Sequence, residues 1–292
     1  MRLLFVHGIG PTTISEVAWR EKWVRALTSG DDGLPEGLLA GRVECVHYGQ
    51  WGWRPDTGTQ GTFVGDSSEF MEELAGEWLH AASRSSDVSL AAPAREALGI
   101  GEVGEEPMGP MRAVSGAVSM LAKVPLFADA GFAALTQRQK WNLWQVDAYV
   151  NDLYGSKEAI WSLFEAALEA AGEPVVILAH SLGSVVAYEA IHRFKPEVAL
   201  LVTFGSPLGL DRLIYPRLMP PASYPDTVKQ WLNVADYDDP VAADPKLADR
   251  FPDPDRRLTD IRVHNQGRFA WHNADAYLTQ KPIRDALKAL LT

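Results

Sequence analysis

The run Val175-Val176-Ile177-Leu178-Ala179-His180-Ser181-Leu182-Gly183-Ser184-Val185-Val186 constrains the chain more than any other stretch. Its apolar first part reads as a buried strand, which passes through a tight turn directly into a helix. A serine on so sharp a strand-to-helix turn has its hydroxyl exposed at the sheet edge. Small residues two before and two after it are needed to avoid clashes, and Ala179 and Gly183 stand at those positions. The helix beginning at Leu182 also directs its first backbone N–H groups toward developing negative charge.

The rest of the chain supplies the sheet that such a turn needs. Leu3 to Val6 is a short apolar run ending at His7-Gly8, a buried strand entering a glycine turn. A helix follows, with Thr13 and Glu16 spaced as a capping box, an apolar set at Val17, Val24 and Leu27, and a stop at Gly30. Residues 42–48 alternate enough to be a second strand. A helix over 157–171 is expected, capped by Ser156 and stopped by Gly172 and Pro174. Four strand runs complete the series: Val175–Ala179, Ala199–Phe204, Val228–Ala235 and Asp260–Asn265. These features predict an α/β fold, a mostly parallel sheet of about six strands with helices on both faces. At 292 residues and 47% apolar composition, one large domain spanning 1–292 is expected.

Between about 50 and 140 the alternation of strand and helix breaks down, which marks an insertion. Residues 68–82 read as an amphipathic helix carrying Phe70, Leu74 and Trp78. Residues 84–113, rich in Ser, Gly, Pro and Glu, read as a mobile loop. Val114 to Leu135 is apolar but interrupted by Lys123, Pro125 and Asp129, which suits a helical cap or lid better than a membrane span.

Charge and cysteine content remove several classes. A formal net charge of -11 with no basic run argues against nucleic acid. A single cysteine, Cys45, excludes an internal disulfide and a multi-cysteine metal site and reads as a buried strand thiol. No histidine pair has metal-ligand spacing, and no glycine set fits a nucleotide loop, so neither metal nor cofactor is expected. The N-terminal apolar run is too short for a signal peptide, and a cytoplasmic location is the expectation.

The turn Ala179-His180-Ser181-Leu182-Gly183 resembles the Gly-x-Ser-x-Gly elbow of the α/β-hydrolase superfamily, particularly its lipases and esterases, with alanine at the first small position. The resemblance covers residues 1–50 and about 157–292. It implies an α/β-hydrolase fold with Ser181 as nucleophile and with Ile9 and Leu182 N–H groups as oxyanion donors, the former in the loop His7-Gly8-Ile9-Gly10. Family order places an acid next. Asp236-Tyr237-Asp238-Asp239-Pro240-Val241 resembles the acid loop of many lipases, which implies Asp239, with Asp236 as the alternative. The base is then His272, after the last strand, with His264 as its competitor.

His7, Gly8, Gly10, His180 and Ser206 are candidates for the pocket around these groups, Ser206 lying in a Gly-Ser-Pro turn similar to one common in such hydrolases. His47 is expected to line the pocket, and His80 and His192 to be partly exposed in helices. Together the resemblance implies a serine hydrolase that cleaves a small or lipid-like carboxylic ester through an acyl-enzyme. The apolar stretch 114–135, with Trp141 and Trp144 after it, could cover an acyl pocket, and transient contact with a membrane surface is compatible with it. Acyl transfer, thioester or peptide cleavage on the same residues, and binding without catalysis, remain alternatives that sequence alone does not separate.

Overall fold

The computed structural model describes residues 1–9, 14–49, 68–100, 132–172, 174–243, 245–267 and 270–292. Six strands, β1 (Arg2–Val6), β2 (Val43–Val46), β3 (Val175–His180), β4 (Val198–Phe204), β5 (Trp231–Asp236) and β6 (Leu258–Val263), form one sheet in the order β2-β1-β3-β4-β5-β6. Every neighbouring pair is parallel. The strands are short and almost wholly apolar because both faces are covered, and alternate residues of one strand enter two different cores. Leu4, Val6, Ile177 and Ala179 pack with α6 (Ser156–Ala171) and α7 (Leu182–Phe194), whereas Leu3, Phe5, Val176 and Leu178 pack with α1 (Glu16–Thr28), α8 (Ala274–Leu278) and α9 (Lys281–Leu291).

The strand order reverses direction at β1. The chain steps outward from β1 to β2, then crosses back to place β3 on the other side of β1. Crossovers on opposite sides leave a crevice between β1 and β3 at their C-terminal ends, where open parallel sheets bind ligands. Register aligns Val6 with Ala179, His180 with Phe204, and Asp236 with Val263, so the residues that follow these strands emerge along one edge.

Several local expectations change. The helix α1 is capped by Ser15, whose Oγ accepts from Ala18 N–H; Thr13 lies outside the described residues. Val17 is exposed, and Trp19, Trp23, Ala26 and Leu27 form the buried face instead. Ser156 does not cap α6: it is the first helical residue, its hydroxyl donates to Ala148 O, and Gly155 holds the cap position. The fifth strand begins at Trp231, with Val228 making only an isolated bridge to Val198. Cys45 lies on β2 as expected but is half-buried; burial, then nearby Glu16, pushes its thiol up to about 12.

Within the insertion, α3 (Glu69–Ser83) matches the expected amphipathic helix. The expected mobile loop over 84–113 is corrected at 88–98, where α4 (Val88–Leu98) forms with Asp87 as its N-cap and left-handed Gly99 at its end. Pro93 inside it removes one backbone donor, which makes the stretch look non-helical in sequence. Packing overrides that loss, because Leu90, Ala91 and Ala94 are buried and Leu90 and Ala94 join α3 in one core. A long helix, α5 (Phe132–Val150), leads back to the sheet with Trp141 and Trp144 buried and stacked at 5.1 Å. Most of 114–135, with the proposed lid residues, lies outside the described residues.

Candidate active site

Ser181 sits between β3 and α7 with φ 54° and ψ -131°, a conformation side-chain-bearing residues rarely adopt and which costs about 1–3 kcal/mol. Its surroundings hold it there. Ser181 N–H donates to Phe204 O at 3.1 Å, and Ser181 O accepts from Ser184 N–H at 2.9 Å and Ser184 Oγ at 2.6 Å. Glycine allows the close approach on both sides: a Cβ at Gly183 would lie 2.3 Å from His7 O, and one at Gly8 would lie 2.5 Å from Ser181 Cβ.

A continuous polar chain leads away from the serine hydroxyl. His272 Nε2 is 2.9 Å from Ser181 Oγ, and His272 Nδ1 is 2.8 Å from Asp239 Oδ2. A carboxylate can only accept, so Nδ1 carries the imidazole proton and Nε2 is free to take the serine proton. Asp239 is buried, and its other oxygen accepts from Val241 N–H at 2.9 Å and Ala242 N–H at 3.4 Å. These backbone donors fix the carboxylate in the turn.

The competing residues are engaged elsewhere. Asp236 accepts from Asp238 N–H at 2.8 Å and from Asn265 N–H at 2.5 Å, with burial, then proximity to other carboxylates, raising its proton affinity against those hydrogen bonds. His264 follows β6 instead of lying within it; it is exposed and stacks on Tyr237 at 4.6 Å. Asp238 binds Ser85 Oγ at 2.6 Å and Ser86 N–H at 2.7 Å, so it clamps the α3–α4 turn to the β5 loop. Among the described residues, Asp236, Asp238 and His264 come close enough together to suggest a cation site, but both carboxylates are already satisfied by these donors.

The loop after β1 is set by His7. Its ring stacks on Tyr48 at 4.1 Å, its Nε2 accepts Tyr48 N–H at 3.1 Å, and its Nδ1–H therefore donates to Gly8 O at 2.7 Å. Burial lowers the His7 imidazole to about 3, so it is neutral and the tautomer is fixed. In a trans peptide the carbonyl and the following N–H point in opposite directions, so holding Gly8 O toward His7 turns Ile9 N–H away from that ring. Leu182 N–H is the first donor of α7 and has no acceptor within its own helix. Gly10 lies outside the described residues.

His180 is buried, with its ring 4.7 Å from that of His272 and 5.2 Å from Phe204. Burial, then the neighbouring His272, lowers its imidazole well below the usual range, so no second positive charge competes beside His272. Ser206 is buried, shares a 2.7 Å hydrogen bond with Ser184 Oγ, and accepts from Leu208 N–H; it backs the Ser181 turn. His47 meets His7 edge-on at 5.2 Å. His192 is half-buried, whereas His80 is buried, against the expectation of partial exposure.

Two contributors were not assigned to the site from sequence, although Gly205 is the glycine of the Gly-Ser-Pro turn noted above. Gly205, at φ 56°, passes so close that a Cβ would stand 3.0 Å from both Asp239 Oδ2 and His272 Nδ1. Tyr277 on α8 donates its hydroxyl to Asp239 Oδ2 at 2.8 Å. Both act across long sequence separations that one chain does not reveal.

Comparison of the chain with protein-family models, curated proteins and solved structures finds no match. Among the described residues no helix is long and apolar enough to cross a membrane.

Proposed function

We propose that the chain is a serine hydrolase of the α/β-hydrolase type that cleaves carboxylic esters through an acyl-enzyme on Ser181. The observation that carries this reading is the unbroken relay from Ser181 Oγ to His272 at 2.9 Å and from His272 to Asp239 at 2.8 Å, on a positive-φ turn. In the first step His272 Nε2 takes the hydroxyl proton as Ser181 Oγ bonds to the ester carbonyl carbon. The electron pair moves to the carbonyl oxygen, which Ile9 and Leu182 N–H groups receive. Collapse expels the alkoxide, which leaves with the proton held by His272. Water, deprotonated by the same imidazole, then releases the acid and restores Ser181. Asp239 keeps Nδ1 protonated throughout and balances the transient imidazolium charge.

We read the acyl group as apolar. Leu182, Leu208, Val241 and Trp271, close in sequence to the site residues, belong to the same apolar cluster as Phe70 and Met71 of α3. The helical insertion is read as a cap over that group, and the lone, half-buried Cys45 is in keeping with a cytoplasmic enzyme.

The test is fluorophosphonate labelling with identification of the modified peptide, together with turnover of p-nitrophenyl esters of increasing acyl length. Ser181→Ala is expected to abolish labelling and lower turnover by a factor on the order of 10⁴ or more. An unchanged rate in that variant would refute the assignment, and preference for acetyl over longer chains would refute the apolar acyl pocket.

A further inference from the structure

We infer that Tyr277 is a positioning residue for the acid of the relay, its hydroxyl fixing the Asp239 carboxylate and sharing the charge that Asp239 presents to His272. This rests on the hydrolase reading of Ser181, His272 and Asp239.

The proton inventory of the hydroxyl carries the argument. Tyr277 Oη is 2.7 Å from Asp236 N, a donor only, so one lone pair of the hydroxyl is occupied by that N–H. Its single proton is then directed to Asp239 Oδ2, at 2.8 Å. The accepting oxygen is the same one that meets His272 Nδ1. Oδ2 thus has two donors, His272 and Tyr277, while Oδ1 is held by the turn N–H groups of Val241 and Ala242.

The ring itself is fixed. Tyr277 is fully buried in the core that α1 and α9 share, against Phe204 at 5.8 Å and His180 at 6.2 Å. Burial, then the Asp239 charge, raises the phenol well above its usual range, so it remains a donor at any working pH. The hydroxyl also spans both acidic residues of the loop, by donating to the Asp239 side chain and accepting from the Asp236 backbone, and so sets where Asp239 stands relative to the end of β5.

Removing this donor leaves more of the Asp239 charge to act on His272. The imidazolium is then favoured, and the imidazole becomes available as a base only at higher pH. The other titratable groups beside the pair are His180 at the end of β3, whose ring lies 4.7 Å from that of His272, and Asp236 in the β5 loop, which interacts with Asp239; His180 in turn feels His7 and Lys22 of α1. All of them are retained in Tyr277→Phe.

The experiment first establishes fluorophosphonate labelling of wild-type Ser181, then compares pH profiles of p-nitrophenyl ester hydrolysis for wild type, Tyr277→Phe, Asp239→Asn and the double variant. Tyr277→Phe is expected to move the acid limb of kcat/KM upward by about half a pH unit or more and to lower kcat about tenfold, with KM within about twofold. In the Asp239→Asn background it is expected to add less than about twofold, because the hydroxyl acts through that carboxylate. Should the Phe variant fold poorly by thermal melting, 3-fluorotyrosine at position 277, a stronger donor of nearly the same size, is expected to move the limb downward. If wild-type Ser181 does not label, the hydrolase reading falls and this inference with it. If it labels and neither substitution moves the limb, or the two variants are additive, Tyr277 has no positioning role and the hydrolase reading stands.

Discussion

Gly183 offers the sharpest test of how the site is built. A methyl group there would stand 2.3 Å from His7 O, 2.5 Å from Val6 O and 2.8 Å from His7 C, all backbone atoms. Non-bonded carbon and oxygen need at least about 3 Å, so α7 and the end of β1 would have to separate by the better part of an ångström. Neither can give readily. Val6 is in register with Ala179, and Tyr48 donates its hydroxyl to His7 O. Overpacking of this kind costs about 1–3 kcal/mol and sometimes more, and a clash with paired backbone lies at the upper end. Alanine regains at most about 1 kcal/mol of helix propensity over glycine.

A net loss of about 2–3 kcal/mol is therefore expected for Gly183→Ala, or a fall in Tm of about 3–5 °C for a chain of this size. Gly37 is the control, since it lies in the short helix α2 (Glu36–Leu39) with nothing within 4 Å of its would-be Cβ. Gly37→Ala should leave Tm unchanged or raise it slightly. Differential scanning calorimetry of both variants decides the matter, and a Gly183→Ala protein that melts within about 1 °C of wild type would refute the close-approach argument. The same displacement would carry Leu182 N–H and Ser181 away from His272, so fluorophosphonate labelling should fall with stability.

Three further outcomes follow from other parts of the fold. Lys157 Nζ lies 2.8 Å from Glu189 Oε1, both side chains fully enclosed, and Glu189 also accepts from the Tyr149 hydroxyl and Met219 N–H; Lys157→Met should lower unfolding free energy in urea by about 3–5 kcal/mol, whereas Lys157→Met with Glu189→Gln, which removes the charge and keeps an acceptor, should recover most of it. A double variant as unstable as the single would show that the uncompensated charge is not the cause. His7 is lowered by burial to about 3 when folded against an ordinary 6.5, so the unfolded chain binds the extra proton between those values. Its contribution is present above pH 6.5 and is lost as pH falls toward 3, at up to about 1.4 kcal/mol per pH unit. The dependence of urea stability on pH between 4 and 6 should be shallower by nearly one proton in His7→Gln, and equal slopes would contradict a buried neutral imidazole. Asp238→Ala releases the Ser85–Ser86 turn and should raise amide exchange across 84–90 with only a small fall in Tm; unchanged exchange would show that the clamp carries no weight.

Elements whose physics is local were legible in the sequence. Short apolar runs bounded by glycine and proline became strands because both faces are covered, and the small residues Ala179 and Gly183 marked a turn where backbones nearly touch. Asp239 and His272 could be named only through the order of a resembled family, with Asp236 and His264 left open; it is the parallel register that brings Asp239 and His272 to Ser181. The rest depends on contacts between distant segments. Helix α4 forms despite Pro93 because α3 offers a face on which to bury Leu90 and Ala94. The donors that hold Asp239 come from its own turn and from a tyrosine 38 residues away, and the neutral state of His7 comes from desolvation. Hydrogen-bond partners and burial depend on which distant segments the sheet order makes neighbours, and spacing along one chain does not encode that directly.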